Sequence, residues 1–96
     1  MTYTELLASL QARTPYQLTP VAEDAFLADV VDMIYNWCAL DHAHAQVERA
    51  AVVNALGPLR RRFMAGEGDA QDFHRLNQII EAIDAAFDDA AIPPLP

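Results

Sequence analysis

Hydrophobic residues recur at three- and four-residue intervals in several segments of the chain, which is the spacing of an amphipathic α-helix. At the start, Thr2 and Glu5 have the spacing of a capping box, in which each side chain satisfies a free backbone N–H of the first turn. The apolar positions that follow are Tyr3, Leu6, Leu7 and Leu10. We therefore predict a first helix over 3–12 with one buried face.

The longest stretch without a glycine or an internal proline comprises residues 20–56. Its first part has a broad apolar side made of Leu27, Val30, Val31, Ile34, Trp37 and Cys38, widened by Phe26, Met33 and Tyr35. Polar residues then interrupt this side, and Asp41 is suited to cap a new helix. The pattern leaves two alternatives open: two helices over 20–40 and 41–56 joined by a turn, or one continuous helix over the whole stretch.

Glycine and proline mark the next predicted boundaries. Gly57 is typical of a helix C-terminus and Pro58 of a first helical turn, so the sequence predicts that one helix stops here and another begins. The new helix is short, over 58–65, because Gly66 and Gly68 follow it directly.

The clearest periodicity in the chain lies in the last helix, predicted over 70–90. Its seam consists of Phe73, Leu76, Ile80, Ile83 and Phe87, which alternate three- and four-residue steps as in a helical bundle or a coiled coil. Such a seam serves either as internal core or as a self-association surface between two copies of the chain. The sequence leaves both alternatives open.

Together these segments predict an all-α fold, a small bundle of four to five helices. One helical domain would comprise residues 1–91, followed by an extended proline-rich tail over 92–96. No apolar run approaches the roughly 20 residues that cross a bilayer, and the N-terminus lacks the features of a signal peptide. We therefore expect a cytoplasmic protein without a membrane segment.

The charge balance narrows the classes of partner. Fourteen Asp and Glu residues oppose six arginines, there is no lysine, and the formal net charge is −8. Nucleic acids and anionic membranes attract clustered Lys and Arg, so direct binding to either is disfavoured. Two charged clusters remain as candidate contacts for a protein partner: Arg60, Arg61 and Arg62, and the acidic group Asp84, Asp88 and Asp89.

Side chains suited to chemistry are few. Asp41, His44 and Glu48 have helical spacing and resemble half of the carboxylate-x-x-His arrangement of di-iron bundles. A complete site needs further ligands from facing helices, so polar residues at a helix junction are the simpler interpretation. The chain also lacks short catalytic motifs such as G-x-S-x-G, C-x-x-C and H-E-x-x-H. We expect neither enzymatic activity nor a cofactor.

By elimination, the sequence indicates a non-enzymatic regulatory or adaptor protein that presents a helical surface to another protein, alone or as a homodimer. One alternative is an acidic inhibitor, of phage or antidefence type, that covers the basic nucleic-acid-binding surface of another protein. A second alternative is a metal-binding helical bundle centred on the Asp41 cluster.

Overall fold

The structure, a computed structural model, describes residues 1–19, 23–38 and 44–92. Its α-helices, in chain order, are α1 (Tyr3–Arg13), α2 (Ala25–Cys38), α3 (Arg49–Met64) and α4 (Ala70–Asp89). The predicted all-α bundle is thereby confirmed. None of these helices has the length and the apolar character needed to cross a membrane.

The core forms around α4, which packs against both α1 and α3, while α2 packs against α3. The buried positions of α4 are Leu76, Ile79, Ala82, Ile83, Ala86 and Phe87. They recur every three or four residues, so they form one continuous apolar side of the helix. Full burial of each large aliphatic or aromatic side chain contributes about 1.5–3 kcal/mol, and this burial is the main force that holds the helices together.

Helix α3 runs through Gly57 and Pro58 without a break, so the prediction of a stop there and of a separate helix over 58–65 is wrong. A proline inside a helix destabilises it by about 3 kcal/mol, because it lacks the N–H and crowds the preceding turn. The apolar side nevertheless continues across the pair, since Leu56 is buried and Leu59 packs against the core one turn later. The free energy gained by burying side chains on both sides of Pro58 outweighs the cost of a proline inside the helix.

The alternative of one continuous helix over 20–56 is also wrong, because residues 44–48 form no α-helix. This segment pairs instead with the N-terminus: Tyr3 N donates to Ala45 O over 3.2 Å, and Val47 N donates to Met1 O over 2.9 Å. The Val47 side chain is buried in the core. The predicted turn near Asp41 lies outside the described residues, and α3 begins at 49 rather than 41.

Three helix starts are fixed by side-chain caps. Thr2 Oγ1 accepts from Glu5 N, which confirms the Thr2 half of the capping box predicted for α1; the Glu5 carboxylate instead accepts from the Thr2 hydroxyl over 3.1 Å. Asp69 caps α4 by accepting from Gln71 N over 2.7 Å. For α2, Asp24 Oδ1 accepts from Leu27 N over 3.0 Å, so Glu23 and Asp24 precede the helix rather than lie within it.

The last two helices end in the same backbone motif. After α3, Gly66 N donates to Phe63 O and Glu67 N to Arg62 O, the pair of bonds that defines a Schellman motif. After α4, the equivalent bonds run from Ala91 N and Ile92 N. The motif needs a left-handed residue, which is Gly66 at φ 90° in the first case but Ala91 at φ 58° in the second. An L-residue with a Cβ is strained there.

Replacing Ala91 by glycine should therefore stabilise the protein. We expect Ala91→Gly to raise the free energy of unfolding by about 1 kcal/mol, since glycine adopts the left-handed region without the Cβ clash. Urea unfolding followed by circular dichroism measures the change. Ala90→Gly is the control, because Ala90 has an ordinary φ of −80° and gains nothing from the substitution. An Ala91→Gly variant no more stable than the wild type would contradict the assignment of strain.

Candidate functional site

A groove lies between α2 and α3 and is lined in part by side chains of one side of α2. Its apolar lining is Phe26, Met33, Trp37 and Leu59, and its acidic lining is Asp29 and Asp32. The α2 members follow the spacing of a single helical stripe, since Phe26, Met33 and Trp37 are separated by about two turns and one turn. The groove therefore combines an apolar strip with a negative edge.

Trp37 is the most exposed large hydrophobic side chain of the described residues, at 73%. The sequence pattern placed it on the buried side of α2 together with residues such as Val30 and Ile34, which are indeed buried. That expectation is wrong for Trp37, which lies near the C-terminal end of α2, on the groove side. An exposed indole beside other apolar groups is unfavourable in water and is a common feature of binding surfaces, where Trp is enriched.

The acidic edge of the groove is not neutralised within the described parts of the chain. Asp29 and Asp32 are exposed, and neither forms an ion pair with any residue in the ranges given above. Their carboxylates lie beside the apolar strip. They are therefore available to a positively charged group brought in by a partner.

The three arginines of the predicted cluster, Arg60, Arg61 and Arg62, point in different directions around α3. Consecutive residues of a helix point about 100° apart, so only Arg62 of the three lines the groove. Arg62 Nε lies 3.3 Å from Glu67 Oε2, and both side chains are mostly exposed. Arg60 and Arg61 are exposed, and neither forms an ion pair inside the described ranges. The net charge at the groove is thus set by its aspartates.

Two of the three predicted docking acids are engaged within the chain by Arg49. Its Nη1 donates to Asp88 Oδ1 over 2.6 Å and to Ile92 O over 2.8 Å, and its Nη2 lies 3.3 Å from Asp84 Oδ1. The Arg49 side chain is only 10% exposed. The hydrogen bond to Asp88 raises the pKa of Arg49, against the opposing effect of burial. Arg49 therefore ties the start of α3 to the end of α4.

The third acid, Asp89, forms an ion pair with Arg13 at the end of α1. All three aspartates lie in or next to the last turn of α4, where negative charge is unfavourable because the C-terminus of a helix carries a partial negative charge. Arg13 and Arg49 offset that repulsion. These acids therefore form ion pairs within the chain, while the side chains of Asp88 and Asp89 remain mostly exposed to solvent.

One end of the groove is held by a second arginine. Arg75 of α4 donates to Asp24 over 2.7 Å and to Asp72 over 2.9 Å. Its guanidinium also lies 5.3 Å from the ring centroids of both Tyr16 and Phe26, within cation–π range. Burial alone lowers the pKa of Arg75, but the hydrogen bonds to the two carboxylates outweigh it and the pKa is raised. Phe26 is thus fixed in place from the α4 side.

The remaining sequence candidates find different environments. In the seam of α4, Leu76, Ile83 and Phe87 are fully buried and Phe73 and Ile80 are half-buried, so the seam packs within the chain. His44 and Glu48 are exposed, whereas Asp41 lies outside the described residues. Within the ranges that the structure describes, no three His, Cys, Asp or Glu side chains are arranged to hold a metal ion.

Comparisons of the chain with protein-family models, with curated proteins and with solved structures give no match.

The Arg49 contacts generate a stability prediction. Arg49→Gln should lower the melting temperature more than Arg62→Gln, because it leaves Asp84 and Asp88 unpaired at a helix C-terminus and frees the Ile92 carbonyl. Exposed pairs such as Arg62 with Glu67 contribute about 0–1 kcal/mol, so Arg62→Gln serves as the control. Differential scanning calorimetry measures both. Equal effects of the two substitutions would show that Arg49 is not a structural link.

The Asp24 contacts generate a pH prediction. The hydrogen bond from Leu27 N, followed by that from Arg75, holds the pKa of Asp24 below its usual 3.8. A carboxyl with a lowered pKa in the folded state stabilises the protein above its ordinary pKa, and this stabilisation is lost as the pH falls through the folded-state value. Asp24→Asn keeps a capping oxygen but removes the charge.

We therefore expect Asp24→Asn to lower the melting temperature at pH 7, and the difference from the wild type to shrink as the pH falls below about 3.8. Thermal unfolding at pH 7, 5, 4 and 3 measures it. Asp32→Asn is the matched control, since Asp32 has no ion pair in the described ranges and should change the melting temperature little. A constant difference at all pH values would assign the effect to the cap rather than to the charge.

Proposed function

We propose that this protein is a non-enzymatic regulatory or adaptor protein that works by binding another protein in the groove between α2 and α3. The observation that carries the proposal is the exposure of Trp37, which lies at the edge of an apolar strip. Within the described residues, no part of the chain covers this strip. Aromatic anchors surrounded by smaller apolar and polar contacts are the usual centre of a protein–protein interface.

One end of the groove is packed against neighbouring aromatic side chains. Phe26 packs edge-to-face against Phe63 with a centroid distance of 6.1 Å, and Phe63 stacks on Phe73 at 6.0 Å. Arg75 holds the same Phe26 ring through a cation–π contact. A surface that is already ordered loses less conformational entropy when a partner binds, so more of the contact energy appears as affinity.

The alternative of an acidic inhibitor acting through Asp84, Asp88 and Asp89 has less support. Those carboxylates are paired with Arg49 and Arg13, so part of their negative charge is already compensated within the chain. Asp29 and Asp32 carry no such pair in the described ranges and lie beside the exposed indole. The groove is therefore the better-supported docking site.

A photo-crosslinking experiment tests the proposal. A photoreactive phenylalanine analogue is placed at position 37 and, as a control, at position 74, where His74 is exposed on a different helix. In cells of the source organism, we expect position 37 to give a discrete cross-linked product with another protein and position 74 to give none. Both substituted chains should retain the wild-type circular dichroism spectrum, because both positions are exposed.

The outcomes separate the alternatives. Absence of any product at position 37, with both chains folded, would overturn the proposed function. A product only at position 74 would move the interface to another face. A product containing a second copy of this chain would make the groove a homodimer contact and would contradict its use for a different protein.

A further inference from the structure

We infer that the occupant of the groove is a basic amphipathic α-helix of the partner protein, an inference that rests on the proposed function. The groove offers three features that such a helix matches: an apolar strip, an unpaired acidic edge and a straight course along α2. Each is set by residues of the described structure.

The length of the strip fits a short helical segment. Phe26 and Trp37 are eleven positions apart on α2, which corresponds to about 16 Å along the helix axis. A partner helix of about three turns spans the same distance and presents apolar residues at three- and four-residue intervals along one side. Met33, half-buried between the two aromatic residues, provides an adaptable contact along the middle of the strip.

The negative charge of the groove determines the sign of the charge expected on the partner. Asp29 and Asp32 follow the apolar strip at helical spacing and have no ion-pair partner in the described ranges, while Arg62, the cation that lines the groove, is already paired with Glu67. The whole chain adds a formal charge of −8. Lysine and arginine at the flanks of the partner's apolar side would therefore be attracted both by the two aspartates and by the field of the whole molecule.

The same charge argues against a second copy of the chain in this groove. Two copies would each bring a net charge of −8, and their acidic edges would meet across a small contact. Of the three consecutive arginines, only Arg62 lines the groove, and its Nε already lies 3.3 Å from Glu67 Oε2. Repulsion of this kind weakens association most at low ionic strength and is screened as salt is added.

A designed peptide pair tests the inference directly on the full chain. One fluorescently labelled peptide is a fifteen-residue helix of leucine and lysine, with leucine along one side. The other has the same pattern with glutamate in place of lysine. Fluorescence anisotropy measures the dissociation constant of each. We expect saturable binding of the lysine peptide that weakens as salt is raised, and at least about tenfold weaker binding of the glutamate peptide.

Variants of the protein locate the binding. Trp37→Ala should weaken the lysine peptide about tenfold or more, because it removes the aromatic anchor. The double variant Asp29→Asn with Asp32→Asn should weaken it about fivefold to tenfold at low salt. Its matched control is Glu48→Gln with Glu81→Gln, which removes the same charge from exposed positions that do not line the groove. We expect that control to change affinity less than about twofold.

Equal losses in the two double variants would mean that only the net charge attracts the peptide, and would overturn the inference. Binding of the glutamate peptide as tightly as the lysine peptide would overturn it as well. In either case a cross-linked partner at position 37 would still support the proposed function, with an occupant of different charge. Circular dichroism of each variant separates a lost contact from a lost fold.

Discussion

The structure depends on the burial of one side of α4. Its residues Leu76, Ile83 and Phe87 are fully buried, and α4 contacts both α1 and α3. Because the same helix carries three aspartates near its C-terminus, its burial brings negative charge close to helix ends that already have a partial negative charge. Arg13 of α1 and Arg49 of α3 compensate this negative charge through ion pairs. Hydrophobic packing thus determines where the helices lie, and the arginines reduce the electrostatic repulsion that this arrangement creates.

The parts of the fold that sequence reasoning predicted are those fixed by local pattern. The helix α4 and the Thr2 cap of α1 follow from spacing within one or two turns, and the structure contains both. Of the predicted seam, Leu76, Ile83 and Phe87 are buried, whereas Phe73 and Ile80 are half-buried. The helix break predicted at Gly57 and Pro58 does not occur, because the apolar residues on either side of this pair are packed in the core. Local propensity of a few kcal/mol was set against the burial of several side chains, and burial prevailed.

The candidate site was harder to predict, because the relevant pairings are far apart in sequence. Asp84 and Asp29 look alike in the sequence, yet Asp84 meets Arg49 across 35 positions while Asp29 has no ion-pair partner in the described ranges. A faint signal was present: Arg49 stands at the first turn of its own helix, where a cation is unfavourable unless a carboxylate compensates it. The prediction that Trp37 is buried is wrong because periodicity shows which side of a helix is apolar, but not how far along the helix its packing neighbours cover that side.

On the proposed function, the selectivity of the groove would come from the distribution of paired and unpaired charges. Among the described residues, four of the six arginines are held by carboxylates of the same chain: Arg13, Arg49, Arg62 and Arg75. Arg60 and Arg61 form no ion pair in the described ranges but do not line the groove, so the local charge there depends on Arg62 and on the carboxylates that have no ion pair. Asp29 and Asp32 are two of these, and they border the apolar strip that ends at Trp37. An apolar strip alone would accept any hydrophobic segment, whereas the adjacent negative edge disfavours acidic ones by charge repulsion. On the proposed function, the combination would favour partners that carry both apolar and basic residues at helical spacing.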